Sequence, residues 1–164
     1  MRIFITGVSS GIGRALASNL VKDGHEVWGI ARRKNLLEEL QKELGEKIIV
    51  SEGDVSDLEK MKTIAVQMRK NDYAPDVVIL NAGIKLKDVN EGLIFDNTEQ
   101  SLRINVVGGL FWITEFLPDF FKRNKGLFIA ISSTAAFRPT KDSVAYSATK
   151  AAMDMVFRGL RLNF

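Results

Sequence analysis

The stretch RIFITGVSSGIG, residues 2–13, decides the fold, because an apolar run passes through a glycine-rich turn directly into a helical pattern. The run RIFIT at 2–6 predicts a buried strand, and the spacing of apolar residues over 12–23 predicts an amphipathic helix. A glycine turn between a strand and a helix is typical of the first βα unit of a doubly wound sheet.

The same alternation of strand and helix continues along the chain. Further strands are predicted at 26–31, 47–54, 76–82 and 127–133, and further helices at 34–44, 57–70, about 99–123 and from about residue 143. The strands are nearly continuous runs of Ile, Val, Leu and Phe, which indicates burial on both faces. The sequence therefore predicts an α/β fold, a Rossmann-type doubly wound parallel sheet in strand order 3-2-1-4-5.

The length and composition indicate one ordinary globular domain. With 164 residues, 46% of them hydrophobic, the chain can bury a sizeable core, and we expect a single domain over 1–164. It contains no cysteine, which excludes disulfides and thiolate metal sites, and no other pattern predicts a metal site. Apolar runs such as 126–131 are too short to cross a bilayer, and the N-terminus lacks a signal-peptide pattern, so we expect no membrane association and a cytoplasmic protein.

The charge pattern does not predict a nucleic-acid interface. The net charge is +3, and basic and acidic residues alternate in segments such as LLEELQKELGEK at 36–47. Only RRK at 32–34 forms a basic cluster, whereas a nucleic-acid surface needs a broader basic stripe.

The glycine turn predicts a phosphate-binding site. We expect Gly7 to form the turn, Gly11 to leave space for a ligand, and Gly13 to let the helix approach the strand closely. The helix N-terminus would then offer free N–H groups and the positive end of its dipole to a pyrophosphate. The alternative is a tight βα turn that uses glycine for geometry alone.

The end of the second strand indicates which dinucleotide would bind. An acidic residue at this point would bind a free ribose 2′-hydroxyl, but the chain has IARRK, with Ala31 followed by Arg32. A guanidinium can donate two hydrogen bonds to a 2′-phosphate, so NADP(H) is favoured over NAD(H). We expect Arg33 and Lys34 to be exposed to solvent at the start of the next helix.

The segment YSATK, residues 146–150, places a tyrosine and a lysine one helical turn apart on the same face. A free phenol, whose pKa is about 10, is a poor base at neutral pH, and a neighbouring ammonium would stabilise its phenolate. Hydride transfer to a carbonyl leaves an alkoxide that needs a proton. Ser132 and Ser133 end the fifth strand at the edge of the sheet where ligands bind in such folds.

Taken together, these segments closely resemble the classical short-chain dehydrogenases/reductases over essentially the whole chain. TGVSSGIG at 6–13 matches the family's TGxxxGxG, and NAG at 81–83 matches its NNAG motif with Leu80 in place of the first Asn. Asp54 stands where the family has an aspartate that binds the adenine. Asn105 matches its helix asparagine, and YSATK matches its YxxxK.

The resemblance implies a role for each matching residue. Tyr146 would be the general acid/base, Ser133 would bind the substrate oxygen, and Lys150 would hold the ribose hydroxyls and tune Tyr146. Asn105 and Lys150 would pass the proton through water. The cofactor contacts that we expect are Gly7, Ser9, Ser10, Gly11, Ile12, Gly13, Arg32, Asp54, Val55, Asn81, Ala82, Gly83, Tyr146 and Lys150.

The implied activity is that of an NADP(H)-dependent oxidoreductase that interconverts a small-molecule carbonyl compound and a secondary alcohol. Alternatives are a nucleotide-binding module without turnover and a lyase or epimerase that uses the same tyrosine. Asn105 could instead only kink its helix, and Asn81 could mainly tie two strands together.

Two expectations concern the surface of the molecule. Family members continue into a sixth strand, a mobile substrate loop and a seventh strand, so we expect a C-terminally truncated chain that leaves the fifth strand at an open edge. The aromatic set in the long helix predicts mostly a packing face: Phe111, Trp112, Phe116, Phe120 and Phe121. Because this helix often forms a dimer interface in the family, we expect a homo-oligomer, a dimer or tetramer, through the 99–123 helix.

Overall fold

The computed structural model describes residues 1–87, 93–139 and 141–162. Its five strands form one sheet in which every neighbouring pair is parallel, in the order β3-β2-β1-β4-β5. This order confirms the predicted one. The strands are β1 (Arg2–Thr6), β2 (Glu26–Ala31), β3 (Ile48–Glu52), β4 (Val77–Leu80) and β5 (Leu127–Ala130).

Helices connect the strands and cover both faces of the sheet. Their bounds are α1 (Gly11–Lys22), α2 (Lys34–Leu44), α3 (Leu58–Lys70), α4 (Phe95–Leu102), α5 (Gly108–Arg123) and α6 (Val144–Leu162). The last three strands are shorter than predicted. β4 ends at Leu80 because the next N–H, that of Asn81, donates to the Thr6 hydroxyl instead of continuing the ladder.

The helix predicted over 99–123 begins earlier, at Phe95, and is interrupted by a π-turn over Arg103–Val107. The combined segment Phe95–Arg123 is long and apolar enough to cross a membrane by length and composition alone. On this segment, the centre of the Trp112 ring lies 4.4 Å from the centre of the Phe4 ring on β1, the central strand. Such packing is typical of a core helix.

Alternate residues of β1 enter two separate cores. Phe4 packs with Trp112 and Phe116 under α3 and α5, while Ile3 and Ile5 pack under α1 and α2. Burying each such side chain stabilises the fold by about 1.5–3 kcal/mol. Of the five aromatic residues predicted to pack, Trp112, Phe116 and Phe120 are buried, Phe111 is half-buried and Phe121 is 56% exposed.

β5 has a hydrogen-bonded neighbour on one side only. It pairs with β4, and the described residues contribute no strand to its outer side. Leu127 and Ile129 are 52% and 37% exposed there. A groove of about 330 Å³ between α5, β5 and α6 has an apolar lining that includes Phe128, Phe157 and Leu160. The open edge that the sequence predicts at the fifth strand is therefore found.

Candidate active site

Three glycines shape the loop after β1 and the first turn of α1. Gly7 has φ +81° and Gly11 has φ +57°, backbone conformations that glycine adopts without strain. A Cβ on Gly13 would lie 2.2 Å from the Gly7 carbonyl oxygen, so α1 can approach this loop only with glycine there. Among the described residues, nothing beyond its chain neighbours and its own helix backbone would lie within 4 Å of a Cβ on Gly11, which leaves open space beside the N-terminus of α1.

Thr6 and Asn81 tie the ends of β1 and β4 together. The Thr6 hydroxyl oxygen accepts the N–H groups of Asn81 and Ala82 at 3.0 and 2.9 Å. The Asn81 side-chain amide donates to the carbonyl oxygens of Thr6 and Gly7 at 3.0 and 3.1 Å. Asn81 therefore joins the ends of the two strands. Its partner Thr6 was not predicted from the sequence.

A cleft of about 290 Å³ opens at the carboxyl edge of the sheet. It brings together ten of the residues predicted to bind a dinucleotide: Gly7, Ser9, Ser10, Ile12, Arg32, Asp54, Val55, Asn81, Ala82 and Gly83. Tyr146 and Lys150, which do not line this cleft, lie on α6. Gly83 lies between the two groups, because a Cβ there would be 3.7 Å from Lys150 Nζ.

Arg33 is exposed, as predicted, but its side chain also contacts the glycine loop. Its backbone is extended just before α2, and its guanidinium reaches back to the glycine loop. Nε and Nη2 donate to the buried Ser9 hydroxyl at 3.2 and 2.9 Å, and Nη2 also donates to Ser10 Oγ at 2.5 Å. The predicted exposure of Arg33 at the start of α2 is therefore confirmed, but its hydrogen bonds to Ser9 and Ser10 were not predicted, because no local pattern reveals acceptors in the loop after β1.

Arg32 lies on the other side of the cleft, beside Asp54. Its Nη1 is 3.5 Å from Asp54 Oδ2, and Asp54 Oδ1 accepts the N–H and the hydroxyl of Ser56 at 2.9 and 2.7 Å. Partial burial alone would raise the pKa of the Asp54 carboxyl, but the Ser56 hydrogen bonds and the Arg32 charge outweigh it, and the pKa lies below its ordinary value. The carboxylate is thus an anion that can still accept through Oδ2.

Lys150 is buried and its ammonium is held in place. Nζ donates to the Ile131 carbonyl oxygen at 2.6 Å and lies 5.7 Å from the centre of the Tyr146 ring. Burial lowers the pKa of Lys150 below its ordinary value of 10.5. The YxxxK segment thus presents a half-buried phenol ring beside a partly desolvated ammonium, the arrangement that the helical spacing predicts.

Asn105 lies within the π-turn and binds two segments. Its amide accepts from the Ile84 N–H at 2.7 Å and donates to the Ile84 carbonyl at 2.8 Å. It also donates to the Thr149 hydroxyl at 3.0 Å, and that hydroxyl donates to the Tyr146 carbonyl at 2.7 Å. The sequence analysis did not predict these two partners of Asn105. Ile84 is bound through its backbone, which any residue offers, and Thr149 stands at a variable position of YxxxK.

Ser133 lies between β5 and α6, next to a 3₁₀ turn over Thr134–Ala136. Its hydroxyl oxygen accepts from the Ala135 N–H at 3.1 Å, so its own proton remains available to an acceptor. Ser132 is exposed. A second cavity of about 190 Å³ adjoins this point and includes Asn105, Ser132 and Lys150 in its lining.

The chain belongs to the short-chain dehydrogenase family, because the family model described as short chain dehydrogenase matches residues 1–164. The protein is therefore an oxidoreductase of that family, and the resemblance predicted from the motifs is confirmed.

Individual relatives agree with this assignment. An uncharacterized oxidoreductase of Staphylococcus aureus (strain MW2) is 31% identical over 157 residues, which cover 95% of this chain and 68% of the relative. Serine dehydrogenase from Escherichia coli superposes with a TM-score of 0.93 at 27% identity, over 99% of this chain and 76% of the other. A closed form of serine dehydrogenase complexed with NADP⁺ gives a TM-score of 0.94 at 27% identity, over 99% of this chain and 66% of the other.

Proposed function

We propose that this protein is an NADP(H)-dependent oxidoreductase that interconverts a carbonyl group and a secondary alcohol. The observation that carries the proposal is the Lys150 ammonium 5.7 Å from the Tyr146 ring at the sheet edge that also bears the dinucleotide cleft. One domain, 1–164, would hold both the cofactor site and the catalytic residues.

The proposed cofactor fits the cleft in two respects. The open space beside Gly11 lies at the N-terminus of α1, whose free N–H groups and dipole favour a pyrophosphate. Asp54 remains ionised and can accept a hydrogen bond from an adenine amino group. The nicotinamide supplies the hydride when the cofactor is bound.

The remaining chemistry belongs to the side chains of this chain. Tyr146 donates its phenolic proton to the oxygen that becomes an alkoxide, and in the reverse direction its phenolate accepts that proton. Ser133 donates a hydrogen bond to the same oxygen. The Lys150 ammonium favours the phenolate electrostatically, and Asn105 holds the loop at Ile84 against the helix that carries Tyr146.

NADP(H) rather than NAD(H) is proposed for two reasons. Two guanidinium groups line the cleft, and no acidic residue directly follows β2 to bind a free 2′-hydroxyl. Arg32 and Arg33 approach it from opposite sides, one beside Asp54 and one on Ser9 and Ser10. Bidentate donors of this kind suit a 2′-phosphate. The solved relative with NADP⁺ bound supports the same choice.

The test combines cofactor binding with turnover. NADPH and NADH are titrated against the protein by nicotinamide fluorescence, and consumption of NADPH is followed against a panel of ketones and aldehydes. We expect tighter binding of NADPH, and turnover that Tyr146→Phe lowers by about 10²–10⁴-fold. Full activity of Tyr146→Phe would exclude that residue as the acid/base. Binding without turnover of any carbonyl compound would instead support a nucleotide-binding module.

We further propose a cytoplasmic homo-oligomer, a dimer or tetramer, assembled through the 99–123 segment. Leu102 and Val107 are 41% and 39% exposed on that segment although both are apolar. Light scattering would test this, and Leu102→Lys should lower the observed mass if the interface is there.

A further inference from the structure

A second ammonium lies over the Tyr146 ring. Lys85 lies in the loop after β4, and its Nζ is 5.9 Å from the centre of the Tyr146 ring. Lys150 lies at nearly the same distance, 5.7 Å, but comes from α6 itself. The phenol thus has two cations as close neighbours, contributed by different elements of the fold.

The two ammonium groups differ in what they contact. Lys150 is buried, and its Nζ donates to the Ile131 carbonyl at 2.6 Å. Lys85 is exposed, and across residues 1–87, 93–139 and 141–162 no carboxylate forms an ion pair with it. The three N–H donors of Lys85 can therefore bind a ligand, whereas one of the three donors of Lys150 is already bound to the protein.

The position of Lys85 is fixed by the same contacts that hold the active-site helix. Its neighbour Ile84 has both its N–H and its carbonyl bound by the Asn105 amide, which in turn binds Thr149 on α6. The backbone that carries Lys85 is thereby held at a defined distance from Tyr146. A flexible lysine on an unconstrained loop would offer no such preference.

We propose that Lys85 is a specificity-determining residue that binds a carboxylate of the substrate, so that the enzyme acts on oxo acids and the corresponding hydroxy acids. This inference rests on the proposed role of Tyr146. With the substrate oxygen on the phenol, a carboxylate a few bonds away comes within reach of the Lys85 ammonium. One ammonium matches the single negative charge of a carboxylate, and a neutral ketone gains nothing from it.

The test measures binding separately from turnover. Tyr146→Phe retains the aromatic ring beside Lys85 but lacks the acid/base hydroxyl. Its NADPH complex is titrated with 3-oxobutanoate and with the methyl ester of that acid by nicotinamide fluorescence. We expect the acid to bind more tightly than the ester. Adding Lys85→Met, which retains an apolar side chain on the ring, should weaken acid binding by at least about tenfold, as expected for a hydrogen bond to a charged group.

A matched control and a kinetic measurement complete the test. Lys87→Gln removes a nearby exposed lysine that contacts no aromatic ring of the described residues, and it should leave both dissociation constants unchanged. In the protein with Tyr146 intact, Lys85→Met should raise KM for the acid and leave kcat and the ester kinetics nearly unchanged. Equal binding of acid and ester, binding of neither probe, or an equal loss for both would overturn the assignment. Full turnover by Tyr146→Phe would overturn the proposed function instead.

Discussion

The Asn105 amide donates to the Thr149 hydroxyl over 3.0 Å, and this contact joins the π-turn to the one turn of α6 that separates Tyr146 from Lys150. Thr149 is fully buried and donates onward to the Tyr146 carbonyl. The position of the YxxxK turn against the π-turn is therefore held by a residue inside the motif that would not touch a substrate.

Thr149→Val should lower the stability of the fold, because it preserves the shape of the side chain and removes the hydroxyl. It leaves one Asn105 N–H and the Tyr146 carbonyl without this partner, at a cost of about 1–3 kcal/mol in the free energy of unfolding. Urea unfolding would measure the loss. Thr149→Ser retains the hydroxyl and should restore most of the stability, so an equal loss in both variants would point to packing instead.

Gly13→Ala should be strongly destabilising. The added methyl would lie 2.2 Å from the Gly7 oxygen and 2.4 Å from Asn81 Nδ2, so α1 must move away from the loop. We expect a loss of about 1–3 kcal/mol or more in the free energy of unfolding, together with weaker NADPH binding.

Gly159→Ala is the matched control for that substitution. Gly159 also lies in a helix, α6, but among the described residues nothing is within 4 Å of a methyl there. Because alanine favours a helix interior over glycine, stability should rise by about 0.5–1 kcal/mol. If both variants lost stability equally in thermal denaturation, the close approach of α1 to the loop would not be the cause.

Arg33→Gln should weaken NADPH binding and leave NADH binding nearly unchanged. The change removes a guanidinium beside Ser9 and Ser10, and the loss of a charged hydrogen bond corresponds to about a tenfold rise in the dissociation constant. Lys34→Gln is the control, because Lys34 faces Glu38 at the start of α2 instead of the cleft. An equal effect on both cofactors would mean that Arg33 acts by holding the glycine loop.

Tyr73→Phe should change the alkaline stability of the fold. The buried phenol reaches the carbonyl oxygens of Ile3 and Glu26 at 2.9 and 3.0 Å, and burial raises its pKa above the ordinary value of 10.0. Above pH 10 the unfolded chain releases this proton and the folded chain keeps it, so the contribution of Tyr73 to stability falls as pH rises.

The measurement for Tyr73 is urea unfolding of both proteins from pH 8 to 11. Below pH 10 we expect Tyr73→Phe to be less stable by about 1 kcal/mol, the net contribution of a hydrogen bond. The difference between the two proteins should shrink above pH 10. A difference that stays constant over the whole range would contradict the assigned titration.

The strand order and the alternation of strands and helices follow from the sequence because each depends on local periodicity and on chain connectivity. The shorter bounds of β3, β4 and β5 and the π-turn were not predicted, because they depend on contacts between distant segments. β4 ends where Thr6 offers an acceptor 75 residues earlier in the chain, and no pattern around Asn81 indicates that.

The candidate site divides in the same way. The glycines, Tyr146 and Lys150 were found because their chemistry needs fixed spacings along one element. Arg33 and Lys85 were not, because each acquires its partner only when the sheet brings separate loops together: the guanidinium reaches Ser9, and the ammonium reaches the Tyr146 ring. Contacts between side chains on different helices, strands or loops are therefore the hardest to predict from a single sequence.

The four hydrogen bonds between Thr6, Gly7, Asn81 and Ala82 have a consequence for the thermodynamics of ligand association. They join the loops after β1 and β4 before any nucleotide arrives, so these loops have little conformational freedom left to lose. The entropy lost on association then falls mainly on the nucleotide, whose rotatable bonds become fixed. Thr6→Val removes the two hydrogen bonds that the hydroxyl accepts and leaves the two to backbone carbonyls, so calorimetry should show a larger unfavourable entropy of association for that variant.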